Sequence, residues 1–198
     1  MLSQIISVFI LAVISAILTF NQPNKDKNRN QILVIFIALL FFLPSALYLL
    51  PENNGNMVSR LLIFSYSLEN TVAYMLLVIL CWSLTMLSDA EFYAIATAVT
   101  VSALLMWATH DPQWRPLQSV VRSFCVLIAM IIATFALVRR QKNGVWMVMA
   151  LMSLAFALKP QPLEPLLGSF ESHNYLKAIA LFCITRAIGS GSTQLFKK

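Results

Sequence analysis

Long runs of apolar residues are the feature that most constrains how this chain can fold. A helix needs about 20 mostly apolar residues to cross the roughly 30 Å of hydrocarbon in a bilayer. Segments approaching that length account for most of the sequence. They are residues 2–20, 32–50, 61–87, 91–109, 121–138, 145–158 and 174–192. The sequence therefore predicts an all-α integral membrane protein, built as a bundle of seven transmembrane helices with short loops.

The composition of the whole chain agrees with this prediction. Hydrophobic residues make up 59% of the chain and charged residues only 11%, whereas soluble domains carry about 25% charged residues. The connections between the apolar segments are too short to hold a soluble module, so we expect one transmembrane domain over residues 1–198. Two segments leave alternatives open. Segment 61–87 is long enough to be two helices, and segment 145–158 is so short that a bundle of six is the alternative to seven.

The distribution of Lys and Arg predicts the orientation of the chain. Cytoplasmic loops of membrane proteins carry an excess of these residues. Loops 21–31 and 139–144 and the C-terminal tail are rich in them, whereas the alternating loops, to which Lys177 is assigned, hold fewer. The N-terminus is then outside and the C-terminus cytoplasmic, in a plasma membrane or in the inner membrane of a bacterium. The net charge of +6 is read as a topology signal, and no nucleic-acid partner is expected.

The sequence shows no motif of a known catalytic or metal-binding type. It lacks H-E-x-x-H, G-x-S-x-G and the Walker A pattern. His110 and His173 fall at the outer ends of predicted spans, where neither is placed to hold a haem. Cys81, Cys125 and Cys183 lie singly within spans and are read as small apolar residues. We therefore expect no cofactor and no metal, and the pattern weighs against an enzyme.

Two charged residues, Glu69 and Arg186, fall inside predicted spans. A charge at the centre of a bilayer costs about 2.5–3.5 kcal/mol on insertion scales, so it marks a functional site by default. Tyr66, Asn70 and Tyr74 recur every four residues and share a helical face beside Glu69. The depths of the two charges allow a salt bridge between their spans. We predict a ligand or proton site made of these five residues.

Each of the two charges also has a structural alternative. Arg186 can extend its stem toward the headgroups, and Glu69 can lie at the water line where a new helix begins. We favour one long, tilted third helix with Glu69 facing the protein interior. The reason is that its polar neighbours form a helical face and that neither Gly nor Pro interrupts the stretch.

Small residues at four-residue spacing predict where helices approach each other closely. Ala94, Ala98 and Ser102 form such a row in the fourth segment, and Ala129 and Ala133 begin one in the fifth. We expect these rows to be packing surfaces.

Two functions of different classes fit this sequence. The first is a non-enzymatic multi-pass subunit that assembles with, regulates or senses for a membrane-protein partner, or forms a homo-oligomer. Short loops, scarce glycine and the missing catalytic motifs favour it. The second is a small transporter or proton-coupled channel that uses the polar face around Glu69. A lipid-modifying enzyme is a distant third, and the lipid bilayer is a partner in every case.

Overall fold

The computed structural model of the protein describes residues 5–7, 10, 29–50, 55–86, 90–158 and 168–191. These residues are almost entirely helical, and no strand occurs among them. The α-helices are α1 (Arg29–Tyr48), α2 (Gly55–Leu68), α3 (Tyr74–Met86), α4 (Phe92–Ala108), α5 (Pro116–Val138), α6 (Lys142–Leu158) and α7 (Ser169–Gly191). A π-helix, Glu69–Ala73, lies between α2 and α3, and a 3-10 turn, Pro112–Trp114, precedes α5.

The predicted apolar segments correspond to helices wherever the structure describes them. Three helices are long and apolar enough to cross a membrane, namely α1, the 30-residue helix Met57–Met86, and α5. Helices α4 and α6 are apolar but have only 17 residues each. Of the first predicted span, only residues 5–7 and 10 are described, and they are helical. The all-α prediction is confirmed, while the count of seven crossings stays a prediction.

The third predicted segment is one continuous helix, as we favoured, rather than two. Backbone torsions at both junctions of the π-helix, Leu68 and Tyr74, are helical. The hydroxyl of Thr71 donates a hydrogen bond to the carbonyl of Ser67 at 2.7 Å. A side chain that bonds to the carbonyl four residues earlier competes with the backbone ladder and bends or widens the helix. The same kind of bond occurs at Thr97 and Thr134 within regular α-helix, so it accompanies the π-turn without being sufficient to cause it.

One end of the bundle is held together by buried amide side chains, and we call it the Asn30 end. The hydroxyl of Ser83, at the end of α3, donates to Asn30 Oδ1 at 2.8 Å, and the backbone N–H of Ala90 donates to the same oxygen at 3.1 Å. Asn143, at the start of α6, donates to the carbonyl of Leu84 at 2.8 Å. The bond from Asn143 satisfies one of the carbonyls that the end of α3 leaves without an intrahelical partner.

The opposite end has its own buried polar bonds, and we call it the Asn174 end. Ser45, near the end of α1, donates to Asn174 Oδ1 on α7 at 2.7 Å. Gln118, at the start of α5, donates to the hydroxyl of Thr109, just after α4, at 2.6 Å. The ends of α1 and α4 thus lie where α5 and α7 begin. When α2, the π-helix and α3 are counted as the one continuous helix that they form, successive helices run in opposite directions through the bundle.

Small residues line the close helix contacts, as predicted. Ala98 and Ser102 are the buried side chains of α4. Ala129 and Ala133 on α5 are 0% exposed. Gly144 on α6 lies directly against the backbone of α5. Helix backbones approach this closely only where side chains are small, so these rows determine which helices are neighbours.

Candidate functional site

Glu69 and Lys177 form an ion pair in the interior of the bundle. Glu69 is the first residue of the π-helix, and Lys177 lies about 12 Å along α7 at ~1.5 Å per residue. Lys177 Nζ lies 2.7 Å from Glu69 Oε1, and only 1% of each side chain is exposed. Burying two charges costs several kcal/mol per ion before their attraction is counted. Pairing is therefore what makes either charge tolerable there.

His173 connects this ion pair to the surface. Its Nε2 lies 3.8 Å from Glu69 Oε1, and 23% of its side chain is exposed. Its Nδ1 is 2.9 Å from the carbonyl of Ala157 on α6. Because a carbonyl only accepts, Nδ1 carries the hydrogen and the neutral ring turns the lone pair of Nε2 toward Glu69. At 3.8 Å the two acceptor atoms are not hydrogen-bonded, and a proton would be shared between them only if His173 and Glu69 moved closer.

Aromatic rings cover the pair on the side of α1. The ring centroid of Phe41 lies 5.6 Å from Lys177 Nζ and 5.5 Å from the ring centroid of Tyr74. Both aromatic side chains are 0% exposed. An ammonium over an aromatic face is attracted by the ring quadrupole, by about 2 kcal/mol or more when desolvated. The rings therefore hold Lys177 in place and keep this side of the site dry.

Arg122, on α5, brings a second cation to the same region. Its Nη1 donates to Asn70 Oδ1 at 2.9 Å, and Asn70 directly follows Glu69 in the chain. Its Nε is buried and has no hydrogen-bond partner within the described part of the chain. No carboxylate among the described residues forms an ion pair with Arg122. The partner of this guanidinium is thus a neutral amide.

The π-helix distributes adjacent polar residues between two neighbouring helices. Glu69 contacts Lys177 on α7, whereas Asn70 contacts Arg122 on α5. Single-turn π segments within α-helices are rare and occur frequently at functional sites. The widened turn therefore places the carboxylate and the amide between cations that come from different helices.

The structure brings four of the five predicted site residues to this region. Glu69 and Tyr74 are buried, Asn70 bonds to Arg122, and Tyr66 lies half-buried about one turn before Glu69. Arg186, the fifth residue, does not join the site, and the salt bridge to Glu69 that the depths of the two charges allowed does not form. Arg186 lies nine residues beyond Lys177, which at about 100° per residue is the opposite face of α7. It is exposed, with its guanidinium 5.6 Å from the Phe182 ring centroid.

Sequence reasoning missed the partners of Glu69. It assigned Lys177 to an outer loop, although this side chain is 0% exposed within α7. A signal was present: Asn174, Lys177, Leu181 and Ile184 recur at intervals of three and four, and all four are buried. Residues with that spacing lie on one face of a helix, and here this face is directed toward the interior of the bundle. Lys177 lies on this face although its side chain is charged.

Known proteins give no guidance on what this cluster does, because no family model, no curated protein and no solved structure matches the chain. The chemistry must be argued from the side chains themselves. Across the described ranges, no group of three or more His, Cys, Asp or Glu side chains could hold a metal ion. The cluster instead combines a carboxylate, an imidazole and an ammonium, a set suited to holding or moving a proton.

Proposed function

We propose that this protein is a multi-pass membrane protein that couples proton binding at Glu69 to the transport of a small polar solute. The observation that carries the proposal is the buried Glu69–Lys177 ion pair with His173 between it and the surface. Ionisable groups inside membrane bundles are rare, and in pumps and transporters they form proton relays. We therefore prefer the hypothesis that the protein is a transporter to the hypothesis that it is a non-enzymatic subunit of a membrane complex.

A purely structural role explains the ion pair less well. Well-packed hydrophobic residues of similar volume often stabilise a protein as much as a buried ion pair does, or more. The interior elsewhere is built from Leu, Ala and aromatic residues, and Leu77, Leu80 and Leu154 are 0–1% exposed. Stability alone therefore does not account for a charged pair in such an interior, which supports the proposal that one of its charges changes state.

In the proposed proton step, His173 takes up a proton on Nε2 and moves closer to Glu69, because the 3.8 Å between Nε2 and Oε1 exceeds a hydrogen-bond distance. The proton then passes from Nε2 to Oε1. The neutral carboxyl no longer attracts Lys177, so the contact between the π-helix and α7 weakens. Loss of this contact is the event that would change the packing of α7 against the long helix.

The outward-facing side chains support placing this bundle in a membrane. Exposed side chains of α5 include Phe124, Leu127, Ile131 and Phe135. Contiguous apolar surface of this kind marks contact with lipid or with another protein. We propose seven crossings, with the Asn174 end outside and the Asn30 end, which carries Arg29, Arg139, Arg140 and Lys142, in the cytoplasm.

The proposed orientation predicts the results of reporter insertions. A reporter near Lys142 and one after Lys198 should report the cytoplasm, and one near Gly168 should report the outside. The reason is that α6 lies between residues 142 and 168, and its two ends face opposite sides. Paired phosphatase and fluorescent-protein fusions measure this. Reporters at 142 and 168 on the same side would remove the sixth crossing.

Proton binding predicts a charge movement in proteoliposomes. A sudden drop in pH on the side of the Asn174 end should produce a transient current on a solid-supported membrane, because a proton moves from His173 to the buried carboxyl. Glu69→Gln should abolish the transient, since the amide keeps the shape but takes up no proton. Glu91→Gln is the matched control, because Glu91 is an exposed carboxylate at the start of α4. Equal transients from the wild type and Glu69→Gln would contradict the proposal.

One observation favours the subunit reading as a second candidate function. Helix α4 buries only Ala98 and Ser102, and exposes Phe92, Tyr93 and Trp107 at 67%, 82% and 80%. A partner helix packed there would bury these rings. Purification in mild detergent tests it, since a stoichiometric partner that is lost on Tyr93→Ser would support the subunit function.

A further inference from the structure

The charges around Glu69 do not cancel among the residues that the structure describes. Glu69 supplies one negative charge, while Lys177 and Arg122 supply two positive charges. Lys177 is paired with Glu69 at 2.7 Å, and Arg122 has only the neutral amide of Asn70. Arg122 is half-buried, with its Nε shielded from solvent, and a buried cation normally has a counter-charge. The site thus carries an excess of one positive charge.

Unsatisfied hydrogen-bonding atoms occur in the same place. Arg122 Nε, the Tyr74 hydroxyl and Glu69 Oε2 are buried, and none has a hydrogen-bond partner in the described ranges. The great majority of buried polar side-chain atoms are hydrogen-bonded. Arg122 Nε and the Tyr74 hydroxyl are donors, and Lys177 has further N–H groups to offer. A group that satisfies them must be rich in acceptor oxygens.

We propose that the transported solute is a small anion, a carboxylate or a phosphate, that binds between Lys177 and Arg122 when Glu69 is protonated. This inference rests on the proposed transport function and assigns its substrate class. In this proposal the Glu69 carboxylate pairs with the Lys177 ammonium in place of the solute until protonation neutralises Glu69. The oxygens of the anion replace Glu69 on the ammonium, accept from Arg122 Nε, and reach the Tyr74 hydroxyl.

The charge balance of this exchange determines the stoichiometry. Protonation raises the charge of the Glu69–Lys177–Arg122 group from one positive charge to two, and one singly charged anion returns it to one. One proton is therefore transported with each singly charged anion, and the two together carry no net charge. Moving a neutral pair through hydrocarbon costs far less free energy than moving the anion alone.

The charged groups on the elements packed around Glu69 can be named among the described residues. Helix α7 contributes His173 and Lys177, and α5 contributes Arg122. The Glu171 carboxylate, in the first turn of α7, lies beside Gly168. The long helix itself contributes the phenols of Tyr66 and Tyr74. The charged residue of α1, Arg29, bonds to the carbonyl of Ala90 at the Asn30 end at 3.4 Å. Helix α4 has no charged residue between its ends. The pH dependence of anion binding is thus expected to follow Glu69 and His173.

Anion binding can be measured on the full chain in a neutral detergent. Melting temperatures followed by tryptophan fluorescence would be compared in sodium acetate, sodium phosphate and sodium chloride at equal ionic strength. Acetate or phosphate should raise the melting temperature saturably at mildly acidic pH, since a ligand that binds only the folded protein stabilises it. The apparent affinity should fall by about tenfold per pH unit under alkaline conditions, because each bound anion requires a proton on Glu69.

Variants distinguish anion binding at this site from a general effect of salt on the melting temperature. Arg122→Gln should weaken anion binding by about ten- to a hundredfold, which corresponds to a lost charge-assisted hydrogen bond. Arg186→Gln is the matched control and should bind like the wild type, because Arg186 is exposed on the opposite face of α7. Glu69→Gln should bind at every pH as tightly as the wild type does in acid. If the Glu69→Gln variant does not fold, the loss of anion binding expected for Arg122→Gln still tests the proposed site.

A second arm of the experiment distinguishes a free anion from a lipid headgroup with the same chemistry. Micelles mixed with phosphatidylglycerol are compared with micelles mixed with phosphatidylcholine, for the wild type and Arg122→Gln. Stabilisation by acetate or phosphate supports a free solute, and stabilisation by phosphatidylglycerol alone supports a headgroup. No Arg122-dependent shift in either arm overturns the inference. The proton transient is measured without added anion, so its presence or absence judges the transport proposal separately.

Discussion

Lys177→Met is expected to lower the free energy of unfolding by about 3–5 kcal/mol, because it leaves the Glu69 carboxylate buried without its counter-ion. Glu69→Leu should cost a similar amount, since it leaves the ammonium alone. The double variant, Glu69→Leu with Lys177→Met, should regain most of the loss, because a well-packed apolar pair needs no compensation. Unfolding by a denaturing detergent in mixed micelles measures all four proteins in one thermodynamic cycle.

The control for this cycle is Arg186→Met. Arg186 is exposed and rests over the Phe182 ring at 5.6 Å, so removing its charge should change the unfolding free energy by no more than about 1 kcal/mol. Losses from Glu69→Leu and Lys177→Met that simply add in the double variant would mean that the two side chains do not interact. Such additivity would remove the ion pair on which the candidate site rests.

Gly144→Ala is expected to cost about 1–3 kcal/mol of stability or more, the range found for overpacking a well-packed interior. A Cβ at Gly144 would lie 2.7 Å from the backbone nitrogen of Leu137 and 2.9 Å from the carbonyl carbon of Ala136. Both atoms belong to the backbone of α5, which cannot rotate away as a side chain does. Helices α5 and α6 would have to separate at the Asn30 end. Thermal unfolding in detergent measures the loss.

Gly189→Ala is the matched control for this substitution. It is also a helical glycine, yet a Cβ there would meet, among the described residues and outside the backbone of its own helix, no atom within 4 Å. Alanine is favoured over glycine inside helices by about 0.5–1 kcal/mol, so this variant should be neutral or slightly stabilising. Equal destabilisation by the two substitutions would show that the close approach of α5 and α6 is not what restricts position 144.

Much of the secondary structure could be predicted because it depends on local patterns. Apolar runs marked the helices that the structure describes, and the absence of Gly and Pro from 61–87 correctly indicated one continuous helix. In the predicted rows of small residues, Ala98 and Ser102 on α4 and Ala129 and Ala133 on α5 are buried, whereas Ala94 is half-buried. These features follow from the composition and period of one segment at a time, so no knowledge of its neighbours was needed.

The sequence predicted the site residues of the long helix but not their partners on α7, and this difference has a physical cause. Tyr66, Glu69, Asn70 and Tyr74 belong to one helix, and their common face follows from its period. The partners of Glu69 belong to α7, whose rotation about its own axis decides whether Lys177 or Arg186 faces inward. Apolar periodicity gave weak guidance there, because α7 contains Glu171, Lys177 and Arg186 among its 23 residues.

The sequence by itself determined that the described part of the chain is helical, that three of its helices are long and apolar enough to cross a membrane, and that Glu69 lies within one of them. Only the tertiary structure decided which cation pairs with the carboxylate, Lys177 at 2.7 Å from Oε1, and which cation bonds to the adjacent amide, Arg122 on Asn70. The reason is that a helix turns by about 100° per residue, so a rotation of half a turn exchanges one candidate partner for another. That rotation is determined by contacts between helices, such as Ser45 with Asn174 and Gly144 with the backbone of α5.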